Sequence, residues 1–218
     1  VARNPKVVIG YSDLTSLLLA LYSKSGLVTF HGPVASSGFT PFTVSQLEAT
    51  LMEGRAPHVM STADEHSKRA LDEPHFVQRV ISSGSAEGTI LGGNLSVLAS
   101  LVGTPYLPDA RDSLLFLEEI SEAPYRIDRM LTQLEQSGFL SKSRGAMLGV
   151  FVKCEPSANE ESLVLSQALT DHFAARPIPS AYGLSFGHIA SQWVLPIGVR
   201  ARFDADARAL TLLESAVA

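Results

Sequence analysis

The chain has 218 residues, 45% hydrophobic and 18% charged, with a net charge of −5. That is enough to bury a core as one large domain or two small ones. Lys and Arg are scattered rather than massed in a basic stripe, which argues against a nucleic-acid partner. No apolar run approaches the roughly 20 residues that cross a bilayer, and no signal-peptide pattern opens the chain, so a cytoplasmic protein without membrane contact is expected. The single cysteine, Cys154, excludes an internal disulfide and reads as a small buried packing residue at the end of an apolar run. The histidines lack metal-ligand spacing, and neither a metal nor another cofactor is expected.

In chain order, Val7-Val8-Ile9 reads as a buried strand ended by Gly10. Leu14, Leu17, Leu18 and Tyr22 follow at helical spacing, with Gly26 as the stop. Leu27–Phe30 is a second strand, running into His31-Gly32-Pro33. A strand–helix–strand unit with such short joints predicts a parallel α/β layer. A helix is predicted around Ser45–Met52, and the charge-rich Ser61–Glu73 reads as a linker or exposed connection, with His66 solvated in it. Gln78–Ser82 reads as a strand, Gly84–Gly88 as turns, and Thr89-Ile90-Leu91 as a strand leading into Gly92-Gly93-Asn94. Leu114–Leu117 is an apolar strand ending on Glu118-Glu119. A helix starts near Pro124, places Ile127, Met130, Leu131 and Leu134 on one face and closes at Ser137-Gly138. Ala146–Val152 predicts a strand, Ser162–Phe173 a helix, and 199–203 with 209–213 a terminal hairpin.

The chemistry centres on Gly10-Tyr11-Ser12-Asp13, a serine on the hinge between a strand and a helix. A nucleophile elbow has this form: glycine keeps a sharp turn free of clashes, and the N–H after the serine donates to a developing oxyanion. The second glycine of G-x-S-x-G is replaced by Leu14. The plainer alternative makes Ser12 or Asp13 a helix N-cap. A serine nucleophile needs a base with an orienting acid. His188, after the glycine-flanked Tyr182–Gly187, is the first candidate base, and His31 at a strand end is the second. His172 reads as a packing or surface residue. Glu118 and Glu119 end a buried strand, where a carboxylate needs a partner. Glu122 reads as a charge before a helix N-terminus.

Together these stretches resemble the LD-carboxypeptidase family of serine peptidases, which includes microcin C immunity proteins. The resemblance rests on PKVVIGYSDLTSLLLAL (5–21), LVTFHGPV (27–34), LGGNLSVLASLVGTPY (91–106), LLFLEEISEAPYRIDRMLTQLEQSG (114–138), GAMLGVF (145–151), FGH (186–188) and VLPIG (194–198). It implies a Ser–Glu–His triad of Ser12, Glu118 and His188, with the backbone N–H of Asp13 as an oxyanion donor. Glu119 replaces the family's usual aspartate, which leaves two adjacent carboxylates as candidates for the acid.

The implied fold is α/β in two domains. A parallel α/β part like the class I glutamine amidotransferases, residues 1–60, carries the serine. A connection follows over 61–85, and a swivelling β/β/α domain, 86–218, carries the glutamate and histidine. The implied activity is hydrolysis of the L,D-peptide bond before a terminal D-amino acid of cytoplasmic murein peptides, in a homodimer. A second reading keeps the triad for a peptidyl-nucleotide antibiotic, on whose base Trp193 could stack, although packing in the core or on the surface is its plainer role. A third is a non-catalytic fragment that folds or binds a partner. Family members carry a substantial segment before the G-[YF]-S-D motif, including a glycine-rich loop for the oxyanion. The early position of Ser12 therefore reads as a truncated chain, expected to be nearly inactive alone.

Overall fold

Uninterrupted apolar runs suit parallel strands buried on both faces, and the middle of this chain is built from them. A computed structural model describes residues 3–156 and 162–217. Among these, six α-helices and two sheets form a mixed α/β fold. The strands are β1 (Ile9–Gly10), β2 (Thr29–His31), β3 (His58–Ser61), β4 (Arg79–Ser82), β5 (Ser85–Asn94), β6 (Ser113–Ile120), β7 (Gly145–Val152), β8 (Ser180–Gly187), β9 (Leu195–Ile197), β10 (Arg200–Asp204) and β11 (Ala209–Leu212). The larger sheet runs β3-β11-β10-β5-β6-β7-β8-β4, with β5 to β8 mutually parallel and antiparallel strands on both sides. The smaller sheet is β1-β2-β9, in which β1 and β2 are parallel and β9 joins antiparallel.

The helix α1 (Leu14–Ser25) joins β1 to β2, buries Thr15, Leu18 and Leu19, and stops at Gly26 with φ +68°. α4 (Leu95–Ser100) follows β5, and α5 (Pro124–Gln136) follows β6. α5 buries Pro124, Ile127, Leu131 and Leu134, the spacing of one helical face. α2 (Pro41–Leu47) and α3 (Asp64–Arg69) lie between β2 and β4, and α6 (Leu165–Phe173) precedes β8. One hydrophobic cluster runs from Leu18 and Phe30 through Phe116, Leu148 and Phe186 to Leu210, so both sheets share a core. Among the described residues no helix is long and apolar enough to cross a membrane.

Several expected elements shift. Val7 is 54% exposed, and the first strand reduces to Ile9–Gly10 at the edge of the small sheet. The helix read at 45–52 starts at Pro41, capped by the Thr40 side chain, and ends in a wider π-turn over Glu48–Met52. Of the stretch read as turns at 84–88, residues 85–88 are the start of β5, where Gly88 passes so close to Asp112 that a Cβ would lie 2.4 Å from its carbonyl oxygen.

The charge-rich 61–73 is not simply exposed. β3 ends and α3 begins inside it, Ala63 is buried, and His66 is wholly buried rather than solvated. Ser185 Oγ accepts the Ala63 N–H and lies 3.1 Å from His66 Nδ1, while burial holds the His66 pKa down at about 4. α3 buries one residue, His66, and keeps its charged residues outward or half-exposed. The terminal hairpin forms as β10–β11, and Cys154 is buried, its thiol pushed up to about 12 by that burial.

Candidate active site

Ligand sites in parallel α/β sheets gather at the carboxyl ends of the strands. Here that edge presents Asn94 at the end of β5, Glu118 and Glu119 near the end of β6, and Gly187-His188 leaving β8. Glu118 is fully buried and its Oε2 accepts a hydrogen bond from His188 Nδ1 at 2.8 Å. Gly187 makes that approach possible. Its φ is +116°, and a Cβ there would sit 3.1 Å from both Cβ and Oε2 of Glu118.

Both members of the pair have raised pKa values, for different reasons. Burial pushes Glu118 upward, and the bond to His188 offsets only part of that. For His188 burial acts downward, but the hydrogen bond and charge of Glu118, with the charge of Glu119, outweigh it. The proton on Nδ1 is assigned from this contact, since a carboxylate there can only accept. Nε2 is left as the lone-pair nitrogen, without a hydrogen-bond partner among the described residues.

The neighbouring carboxylate does something else. Glu119 accepts the Ser96 N–H at 2.8 Å, the Asn94 Nδ2 amide at 3.0 Å and the Ile120 N–H at 2.8 Å. It therefore caps the start of α4 and does not bond His188. The β6–β7 pairing shifts register between Leu117 and Glu119, where the two carboxylates take these separate duties. Glu122 lies 3.4 Å from Arg126, one turn along the chain, and away from His188.

Ser12 has φ +58°, the left-handed region that costs a non-glycine residue about 1–2 kcal/mol. Capping does not explain it. Asp13 holds the N-cap position of α1 without a side-chain cap bond, and the Ser12 hydroxyl forms no hydrogen bond among the described residues. The turn closes through the backbone instead, Leu14 N–H donating to Tyr11 O and Thr15 N–H to Ser12 O. Asp13 N–H is left without a partner among the described residues. Gly10 must lack a side chain here, because a Cβ would lie 2.3 Å from Leu14 Cδ1 and 3.0 Å from Leu14 Cβ. Leu14 thus occupies the place of the missing second glycine by packing over the first.

The structure joins Glu118 to His188 directly, and the residue before Ser12 meets the histidine. The Tyr11 ring meets the His188 ring edge-on, centroids 4.9 Å apart. Tyr11 and His188, with Ser37, Gly38, Ile189 and Gln192, line a cleft of about 370 Å³. A hollow of about 410 Å³ between 5–7, 25–28 and 216–217 holds none of the candidate residues.

His31, the second candidate base, lacks the carboxylate partner that His188 has. It is fully buried against Phe116, neither ring nitrogen has a partner among the described residues, and burial with the nearby His188 holds its pKa at about 3. Trp193 is buried too, its Nε1 donating to Ser61 O at 2.8 Å, so it offers no face to a base. Among the described residues no three His, Cys, Asp or Glu side chains converge to hold a metal ion. Sequence reasoning missed the Tyr11–His188 contact, although an aromatic residue beside the hinge serine was visible.

Family models of the LD-carboxypeptidase N-terminal and C-terminal domains match residues 1–32 and 87–203. The chain belongs to the LD-carboxypeptidase family. It is 36% identical over 204 residues to the Bacillus subtilis protein named probable murein peptide carboxypeptidase, covering 94% of this chain and 61% of that one. It is 26% identical to the Escherichia coli microcin C7 self-immunity protein MccF over 98% of this chain and 67% of that protein. The crystal structure of muramoyltetrapeptide carboxypeptidase from Oxalobacter formigenes superimposes with a TM-score of 0.76 at 32% identity, covering 95% of this chain and 68% of that one. The chain thus spans about three fifths of the length of the Bacillus relative.

Proposed function

We propose that the protein is a serine-type LD-carboxypeptidase acting on murein peptides, with Ser12 as nucleophile, His188 as base and Glu118 as its orienting acid. The observation that supports this best is the 2.8 Å Glu118–His188 contact beside a serine held at φ +58°. Glu118 keeps the proton on Nδ1, so Nε2 takes the Ser12 proton as Oγ attacks the carbonyl carbon before the terminal D-residue. The unpartnered Asp13 N–H donates to the resulting oxyanion. His188 then passes the proton to the departing amine as the C–N bond breaks, and water, deprotonated by His188, releases the acyl group. In apo enzymes the serine–histidine contact is often open until substrate arrives, which accommodates the unbonded Ser12 hydroxyl.

On this reading residues 1–60 are the nucleophile-bearing part, 61–85 the connection and 86–218 the swivelling β/β/α part bearing Glu118 and His188. The cleft by Tyr11 and His188 takes the peptide. The reading extends to a cytoplasmic role in wall recycling and to a homodimer, which light scattering on the product of the complete coding sequence tests. The likeness to MccF raises a peptidyl-nucleotide as the competing substrate, but the buried Trp193 removes the stacking residue first suggested for it.

The deciding assay offers the product of the complete coding sequence a murein tetrapeptide and an aminoacyl-nucleotide. D-alanine release that vanishes in Ser12→Ala is expected. Release unaffected by Ser12→Ala refutes the nucleophile, and cleavage of the nucleotide alone refutes the substrate.

A further inference from the structure

A serine on one sheet and a Glu–His pair on another must be held at a fixed separation, and one hydroxyl bridges the two segments. Thr15 lies in the first turn of α1, is fully buried, and closes the Ser12 turn by donating its N–H to Ser12 O at 2.9 Å. Its Oγ1 accepts the backbone N–H of Asn94 at 3.1 Å. Asn94 is the last residue of β5 and stands directly opposite Glu118 in the parallel β5–β6 ladder. From the Ser12 turn to the strand residue beside Glu118 there are therefore two hydrogen bonds, both to Thr15.

The preceding glycines are shaped to this contact. Gly93 has φ +149°, and a Cβ there would fall 2.4 Å from Thr15 Cγ2 and 2.6 Å from Oγ1. Gly92, at φ +144°, would place a Cβ 1.8 Å from Phe116 O. Glycine is needed twice over at each, for backbone conformation and for space. The end of β5 is thus pressed between α1 on one side and β6 on the other. An aliphatic residue at this point would fill the same space but leave the buried Asn94 N–H without its acceptor.

We propose that Thr15 is a positioning residue for the reaction, its hydroxyl fixing the Ser12 turn against β5 and so setting the distance from Ser12 Oγ to the His188–Glu118 pair. This rests on the Ser–Glu–His reading above. Thr15→Val keeps the shape and removes the acceptor, leaving the buried Asn94 N–H unpaired. Thr15→Ser keeps the acceptor and drops a methyl group. A misplacement on the order of 1 Å costs about 10²-fold in rate.

The test measures tetrapeptide cleavage and, separately, phosphonylation of Ser12 by a fluorophosphonate, with fluoride as leaving group and the labelled residue read by mass spectrometry. Both use the product of the complete coding sequence. We expect Thr15→Val to lower kcat and the labelling rate about 10–100-fold with KM nearly unchanged, and Thr15→Ser to recover most of both. A Thr15→Val protein that labels and turns over at the parent rate overturns the proposal, and so does one whose rate per folded molecule is normal and only its melting temperature lower. A parent protein that neither labels at Ser12 nor cleaves the peptide overturns the catalytic reading and this proposal with it. Normal labelling of the parent, with a Thr15→Val rate to match, sinks the positioning role alone.

Discussion

Replacing Glu118 by glutamine tests the site at its most constrained contact. The side chain keeps its size in a fully buried position, so the change is almost wholly chemical. Glu118 Oε2 receives the Nδ1 proton of His188 at 2.8 Å, while Oε1 has no partner among the described residues. If the new amide turns its nitrogen to Nδ1, it donates there, and the imidazole proton moves to Nε2, the nitrogen meant to receive the Ser12 proton. If it turns its oxygen to Nδ1, the tautomer survives but an NH2 group is buried where the carboxylate oxygen had no partner. Either way the imidazolium formed in the transition state loses its counter-charge. The expected loss in kcat is about 10³–10⁴-fold, or about 4–5.5 kcal/mol of barrier.

The pH profile adds a signed check on the same variant. On the proposed mechanism activity needs neutral His188, so the acidic limb of kcat/KM follows its titration. In the parent the Glu118 bond and charge outweigh burial, and the limb lies above the ordinary histidine value of 6.5. In the Glu118→Gln protein burial is opposed only by the charge of Glu119, and the limb moves to lower pH. Tetrapeptide cleavage followed by D-alanine release between about pH 5 and 9 measures both quantities. A variant within about tenfold of the parent, or with its acidic limb in place, refutes Glu118 as the orienting acid.

Glu119→Gln separates the two carboxylates. One of the three N–H groups now accepted by Glu119 would face an amide nitrogen, costing about 1–3 kcal/mol. A melting temperature lower by about 3–10 °C is expected, with a loss of activity at least two orders of magnitude smaller than that of Glu118→Gln; equal losses would show that both act on His188. Cys154, its thiol pushed up to about 12, is expected to stay unreactive to a disulfide reagent at about pH 8 in the native protein and to react once unfolded. Rapid reaction of the native protein would contradict its burial.

Runs of apolar residues made β6, β7 and α5 legible, because a strand buried on both faces and a one-sided helix leave plain periodicities. The 61–73 stretch was not legible, since its charges flank a few residues that bury, and only the neighbouring β8 decides that His66 turns inward against Ser185. The site divided in the same way. The strand–helix hinge offered Ser12, the glycine-flanked stretch offered His188 and the family resemblance favoured Glu118, but the separate duties of Glu118 and Glu119 follow a register shift between β6 and β7. Thr15 was hidden for a related reason. A threonine in a leucine-rich helix looks like filler until β5 is brought against it from 79 residues away.

The same places show where the fold departs from what stability alone would select. Ser12 occupies a backbone region that glycine would fill without strain, and its side chain offers the helix no cap in return. Glu118 is a carboxylate with no exposed surface, one oxygen unpartnered among the described residues and a single bond to a histidine. An apolar residue of similar volume would remove that burdened acid, as buried ion pairs are often replaced without loss. Each feature by itself has a dull explanation, a tight turn or an inherited polar core. Ser12 follows the small sheet and Glu118 ends a strand of the large one, and with the Tyr11 ring against the imidazole between them the proposed triad would account for both. On the proposed mechanism, the strained Ser12 backbone and the buried Glu118 both serve a proton that passes between the serine and the histidine.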